Sequence, residues 1–249
     1  MRIAVAGGTG AVGRHVVDVL RERGHEAVVL ARSTGVDLVA GTGLAATLGG
    51  VRAVVDVTSV STRSAEVAER FFRAVTTNLL TAGAAAGVRH LLVLSIVGID
   101  RAPFGYYAGK VAQERLVANG GQPWTILRAT QFHEFATQIY GQLRFGPLTL
   151  IPTMRSQPVA AREVAQRLVD LAEGEPVGRA TDLGGPREEM MADLVRAYAR
   201  SVGARGPVIQ FPLPGAFGRA MRDGTLVAGP AAEHGTQTFA EWLARRPAP

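Results

Sequence analysis

The run Gly7-Gly8-Thr9-Gly10-Ala11-Val12-Gly13 follows the short apolar stretch Arg2-Ile3-Ala4-Val5-Ala6 and leads straight into Arg14-His15-Val16-Val17. A strand can pass into a helix over so few residues only where the turn tolerates positive φ and close backbone approach, and glycine supplies both. The helix predicted over 11–23, closed by Gly24, then points its unpaired N–H groups at whatever lies over the turn. That arrangement suits a pyrophosphate. A merely tight strand-to-helix turn does not require glycine at 7, 10 and 13 together. Gly7, Thr9, Gly10, Ala11, Val12 and Gly13 are therefore the first candidate cofactor-binding residues, and the implied ligand is a dinucleotide.

The alternation begun here continues. Strands are predicted near 2–6, 27–31, 36–39, 52–57, 90–95 and 124–128, and helices near 11–23, 43–48, 64–86, 107–118 and 133–143. Such alternation implies an α/β fold, a doubly wound parallel sheet with helices on both faces. The helix over 64–86 carries Val67, Phe71, Val75 and Leu79 at four-residue spacing as its inward stripe, and Gly87 ends it. His90-Leu91-Leu92-Val93-Leu94-Ser95 is nearly all apolar, as expected of a central strand covered on both sides. Beyond about residue 130, prolines from Pro147 to Pro214 break the pattern, leaving helices near 161–173, 187–202 and 238–245. The chain reads as one domain over 1–249, with about 131–175 and 187–249 forming a small C-terminal substrate lobe.

Composition narrows the chemistry. The 249 residues hold no cysteine, which excludes disulfides, thiolate metal sites and cysteine nucleophiles. His15, His25, His90 and His234 show no metal spacing, so no metal is expected. No Gly-x-Ser-x-Gly turn marks an esterase. The net charge of +6 comes from scattered arginines with no aromatic-interleaved basic stripe, which reads as a solvated surface with some preference for anionic small molecules; the expected partner is a small-molecule substrate, not nucleic acid. No apolar run approaches the roughly 18 residues of a membrane span. A first strand entered at residue 3 leaves no room for a signal segment, so the expectation is a cytoplasmic protein with no membrane partner. Phe71-Phe72 is the only suggestive apolar pair on the outer helices, and a monomer or a homodimer is expected.

Lys110 is the only lysine among 27 basic residues, and it lies four positions after Tyr106. On a helix that spacing puts both on one face. An ammonium beside a phenol favours phenolate and is expected to pull Tyr106 below its reference value of about 10. A phenol tuned in this way can donate a proton to a carbonyl oxygen, and the lysine can also bond a ribose hydroxyl. Tyr107 reads as packing.

With Gly7-x-x-Gly10-x-x-Gly13 and Tyr106-x-x-x-Lys110 in hand, the chain resembles the short-chain dehydrogenase/reductase superfamily, in its atypical, NmrA-like NAD(P)-binding branch. Asn78-Leu79-Leu80 through Ala86-Gly87-Val88 and Leu183-Gly184-Gly185-Pro186 also match, so the resemblance covers essentially the whole chain. It implies a Rossmann-like fold, with the nicotinamide near Thr58, Ser59 and Ser95. It also implies a hydroxyl two residues beyond Ser95, where this sequence has Val97. Ser95 is then the remaining catalytic hydroxyl candidate, alongside Tyr106 and Lys110. The stretch after the strand at 124–128 borders the substrate in the family, which makes Phe132, His133 and Phe135 substrate candidates, with Met154 more distant.

Charge decides the cofactor. An NAD-binding fold of this kind ends its second strand in an acid that holds the ribose hydroxyls. Here Ala27-Val28-Val29-Leu30-Ala31 runs into Arg32-Ser33, with no carboxylate before Asp37. Arg32, with Arg14 and Ser33 nearby, suits a 2′-phosphate, so NADP(H) is favoured over NAD(H). The resulting expectation is an NADP(H)-dependent oxidoreductase that reduces a small apolar carbonyl, quinone or enone, with Tyr106 as proton donor. The rival readings are a non-catalytic NADP(H)-binding redox sensor and an isomerase or epimerase using bound NAD(P).

Overall fold

The first strand, β1 (Arg2–Ala6), is buried from Ile3 onward and lies one strand in from the edge of a parallel sheet, paired on both sides. A computed structural model describes residues 1–246. The chain divides into two compact units. The first comprises Met1–Ser95, Pro103–Arg128 and Ala161–Ala180; the second comprises Ile96–Ala102, Ala129–Ala160 and the chain from Thr181 on.

In the first unit β1 is followed by α1 (Ala11–Glu22), β2 (Glu26–Leu30), α2 (Leu44–Thr47), β3 (Ala53–Asp56), α3 (Ala65–Ala86), β4 (His90–Ile96), α4 (Tyr106–Asn119) and β5 (Trp124–Ala129). The strand order is β2-β1-β3-β4-β5, with parallel registers such as Ile3 on Ala27, Ile3 on Ala53 and Ala53 on His90. The chain leaves β1 toward β2 on one side and resumes at β3 on the other. That reversal opens a crevice at the carboxyl ends of β1 and β3, the usual ligand position of a Rossmann-like sheet. The fold is thus the doubly wound α/β class that the alternation implies.

Local physics explains most boundaries. Ser64 accepts the Val67 N–H at the start of α3, and Gly87 closes it in the left-handed region at φ 72°. The buried stripe of α3 is Ala68, Phe72, Val75, Thr76, Leu79 and Gly83, while Val67 is exposed and Phe71 half-buried. A strict four-residue spacing overshoots the helical repeat of 3.6, which moves the inward face from Phe71 to Phe72.

The strand predicted over 36–39 does not form. Arg32–Thr34 is a 3₁₀ turn and Gly35 sits at φ 80°. Asp37 then accepts the N–H groups of Val39 and Ala40, while the Asn78 side-chain amide donates to the carbonyls of Leu38 and Val39. An aspartate that bonds the backbone just ahead of it competes with a strand ladder.

Helix α6 (Ala161–Glu173) belongs to the first unit, so the boundary at about 175 expected for the lobe runs past the structural one at 160. It packs on α1 through Arg162–Glu22, Arg23–Asp170 and Arg23–Glu173 ion pairs.

The second unit holds α5 (His133–Gln142), α7 (Met191–Ser201), α8 (Gly215–Arg222) and α9 (Phe239–Ala244). The stretch 187–202 opens as a two-residue strand, Glu189–Met190, paired with Arg155–Ser156, and turns helical only at Met191. Helix α8 is absent from the sequence reading because Gly215 and Gly218 look like breakers. In the structure the Gly218 position lies against the Leu213 carbonyl, where a side chain would not fit.

Candidate active site

Gly7 follows β1 with φ 79°, a conformation open to glycine. Its N–H donates to the Leu30 carbonyl, and the Gly10 N–H returns to the Gly7 carbonyl at 2.9 Å. Gly13 lies against this turn so tightly that a Cβ there would overlap the Gly7 carbonyl oxygen and stand 2.7 Å from Gly8 Cα. Gly10 is the N-cap of α1 and no side chain caps it, so the helix start faces outward as bare backbone donors. Thr9, Gly10, Ala11 and Arg14 are exposed around it, while Val12 packs inward. This cradle of glycine backbone and helix N-terminus fits a pyrophosphate.

The turn abuts the residues that follow β3. A Cβ on Gly7 would lie 3.1 Å from the backbone of Thr58, and Ser59, the next residue, is exposed. Ser59 Oγ and Tyr106 Oη share a hydrogen bond of 3.0 Å. The glycine turn, Thr58, Ser59 and the phenol of Tyr106 are therefore consecutive neighbours within one unit.

Tyr106 opens α4. The helix is pressed onto α3 where Gly109 meets Ala68, so closely that a Cβ on Gly109 would lie 2.6 Å from the Ala68 backbone. This crossing brings Phe72 between the predicted partners. Tyr106 meets its ring edge to face at 5.5 Å, and the Lys110 ammonium lies over the same ring at 4.6 Å.

Lys110 thus differs from its expected role as the group that lowers the Tyr106 phenol. Its Nζ donates to Gln113 Oε1, and Gln113 Nε2 donates to Asp56 Oδ2 at 2.8 Å. The phenol is raised above its ordinary value, first by burial and further by the negative charge of Asp56, while the Ser59 hydrogen bond pulls the other way. Burial lowers the Lys110 amine to about 8, against the opposing pull of Asp56 and Glu114. Asp56, wholly buried, is raised by desolvation despite Lys110 and its hydrogen bonds to Thr58 and Gln113.

Ser95 lies elsewhere in the same unit, buried in β4, with no hydrogen-bond partner for its Oγ among the described residues. Glu114 is clasped by Arg128 through two bonds of 2.9 and 2.7 Å and by Arg179 at 3.0 Å. The structure gives the Tyr106 phenol Ser59, not Ser95, as its hydroxyl partner. Ser59 was legible only as a residue near the nicotinamide. Asp56 carried no signal in the sequence, because it stands on another element at no regular spacing from Tyr106 or Lys110. Gln113 lies three residues after Lys110 and seven after Tyr106 on one helix face, a spacing that could have marked it.

Arg14, Arg32 and Ser33 are exposed. Asp37, the nearest carboxylate beyond β2, is taken up by the backbone of its own turn and faces the charge of Arg32. Phe132, His133, Phe135 and Met154 belong to the second unit. There His133 is fully buried against Phe239 and Trp242, and its Nε2 bonds the Gln237 carbonyl. Met154 is buried as well, and Phe132 and Phe135 are half-buried.

The profile of a family described as NAD(P)H-binding matches residues 7–175, from the first glycine of the turn to just past the end of α6. The chain belongs to the NAD(P)H-binding family. A curated relative, the (4-alkanoyl-5-oxo-2,5-dihydrofuran-3-yl)methyl phosphate reductase of Streptomyces griseus, is 33% identical over 144 residues, 52% of this chain. The match spans 48% of that relative, about half its length. Among solved structures, the NADPH-dependent quinone oxidoreductase QOR2 of Escherichia coli, complexed with NADPH, is similar with a TM-score of 0.75 at 18% identity. The likeness covers 97% of this chain and 98% of that one. A nucleoside-diphosphate-sugar epimerase from Staphylococcus aureus is similar with a TM-score of 0.74 at 15% identity, over 98% and 99% of the two chains. At these identities the two structures share the fold with this NAD(P)H-binding protein. Among its described residues no helix is long and apolar enough to cross a membrane.

Proposed function

We propose that this NAD(P)H-binding protein is an NADP(H)-dependent oxidoreductase of the NmrA-like short-chain type, reducing a small apolar carbonyl, quinone or enone. The observation that carries the reading is the continuity from the Gly7 turn through Thr58 and Ser59 to the Tyr106 phenol. On this reading the Tyr106 phenol is the proton donor, linked through Ser59 and Thr58 to the turn that holds the pyrophosphate. Bound NADPH would supply the hydride.

Tyr106 Oη gives its proton to the substrate oxygen as that oxygen gains charge. Its raised value keeps the phenol protonated at neutral pH, so it serves as an acid and not as a standing phenolate. Ser59 Oγ then donates to the phenolate left behind, 3.0 Å away. Lys110 supplies positive charge across the Phe72 ring and offers its remaining donors to the nicotinamide ribose. Gly7, Thr9, Gly10, Ala11, Val12 and Gly13 hold the pyrophosphate, and Arg14, Arg32 and Ser33 hold the 2′-phosphate. The reductase name of the Streptomyces relative and the NADPH bound by the quinone oxidoreductase support the same reading. Phe132, Phe135, Met154 and His133 are assigned to the substrate side, His133 by supporting the segment from its buried place.

NADPH oxidation across quinones, aldehydes, ketones and enones, with wild type and Tyr106→Phe run together, tests the proposal. Turnover that falls by about two to four orders of magnitude in Tyr106→Phe supports it. Bound NADPH without turnover on any substrate rejects it in favour of a redox sensor or an isomerase.

A further inference from the structure

Lys110 is the chain's single lysine, it is 3% exposed, and its amine touches no carboxylate directly. What it touches is the Gln113 amide, whose other end is bonded to Asp56. Gln113 is fully buried and Asp56 is 1% exposed. The amide is held in one orientation: its oxygen must face the ammonium, which has only donors, and its NH₂ must face the carboxylate. Asp56 is fixed from the other side by the Thr58 N–H at 2.9 Å.

Charges around the amine leave Asp56 as its counter-ion. From β3 comes Asp56; from α4 itself come Glu114 and Tyr106; α3 contributes the uncharged ring of Phe72. Glu114 is already matched by two arginines, Arg128 from β5 and Arg179. An isolated buried ammonium sheds its proton, since desolvation disfavours the charged form.

We propose that Asp56 is a positioning residue for Lys110, acting through the Gln113 amide to seat the amine on Phe72 and to keep it an ammonium. The consequence for activity rests on the oxidoreductase reading: Asp56 then sets the alkaline limit of turnover, three residues before the serine that bonds Tyr106. The seating of Lys110 itself does not depend on that reading.

A single lysine gives a single Nζ resonance, so the full-length protein labelled with lysine enriched in ¹⁵N at Nζ reports this amine alone. Its titration is followed without cofactor or substrate in wild type, in Asp56→Asn, and in the double variant Asp56→Asn/Gln113→Glu, which moves the carboxylate onto the ammonium. The expected result is a proton affinity at least tenfold weaker in Asp56→Asn and restored in the double variant. An unchanged titration in a folded Asp56→Asn overturns the proposal, whatever the enzyme does. Should Asp56→Asn fail to fold, folding of the double variant supports the counter-charge, and failure of both overturns it. A shifted titration in a protein with no reductase activity leaves the proposal standing and rejects the oxidoreductase reading alone. In an active enzyme, the alkaline limb of kcat moves to lower pH in Asp56→Asn.

Discussion

Ser59 Oγ lies 3.0 Å from Tyr106 Oη, although the two residues are 47 positions apart. The serine follows β3 at the rim of the glycine turn, and the tyrosine opens a helix on the other side of β4 in the sequence. Their hydrogen bond joins the region that fits a pyrophosphate to the Tyr106 phenol, and it lowers the cost of ionising that phenol.

Ser59→Ala is expected to slow turnover by about tenfold to a hundredfold, the worth of one hydrogen bond to a charged group at about 1.5–3 kcal/mol. Ser59→Thr should restore most of it. Removing the bond also raises Tyr106 further, so the pH profile of kcat shifts to higher pH in the alanine variant. Steady-state kinetics over pH check both, and a wild-type profile in Ser59→Ala rules out the pairing.

Gly13→Ala is expected to cost about 1–3 kcal/mol by overpacking, because its methyl group would overlap the Gly7 carbonyl. Gly10→Ala meets the same oxygen only at 3.2 Å, on a backbone at φ −76° that alanine adopts freely. Thermal unfolding should therefore rank Gly13→Ala well below Gly10→Ala, with NADPH binding by fluorescence lost in the same order.

Arg32→Ala is expected to weaken NADPH by about tenfold to a hundredfold and to leave NADH nearly unchanged, since one charge-assisted contact to the 2′-phosphate is removed. Titrating the two cofactors side by side checks this. Equal losses for both would place Arg32 away from the 2′-phosphate.

Glu114 is held below its ordinary value by Arg128 and Arg179, which outweigh the cost of its burial. A depressed carboxylate contributes stability above its unfolded value of 4.5, and that contribution is lost as pH falls through the folded value. Chemical unfolding should thus show stability declining below about pH 4.5 in wild type. Glu114→Gln, which takes this carboxylate away from Arg128 and Arg179, is expected to lower stability at pH 7 and to flatten that decline.

What the sequence by itself determined is what short-range periodicity controls. The glycine spacing demanded the turn after β1, the alternation of apolar runs demanded the parallel sheet, and the four-residue step from Tyr106 demanded that Lys110 share its helix face. Each is a property of neighbouring residues on one element. Even here a local rule had limits: a strict count of four named Phe71 as the inward residue of α3, and the true helical repeat turned Phe72 inward.

Tertiary structure decided the partners. Phe72, delivered by α3, takes the Lys110 charge, and Gln113 hands that charge on to Asp56, so the lysine does not lower the phenol as its spacing implied. Asn78 holds the 36–42 loop out of the strand its composition suggested, and ion pairs to α1 fix α6 in the first unit. The family pattern points to Ser95 as the catalytic hydroxyl and to Ser59 only as a neighbour of the nicotinamide; that Ser59 is the one that meets Tyr106 follows from where β3 ends and how closely Gly109 lets α4 approach α3. Burial and contact between distant segments set those charges and hydrogen bonds, the Lys110–Gln113 bond, a three-residue step along α4, being the local exception.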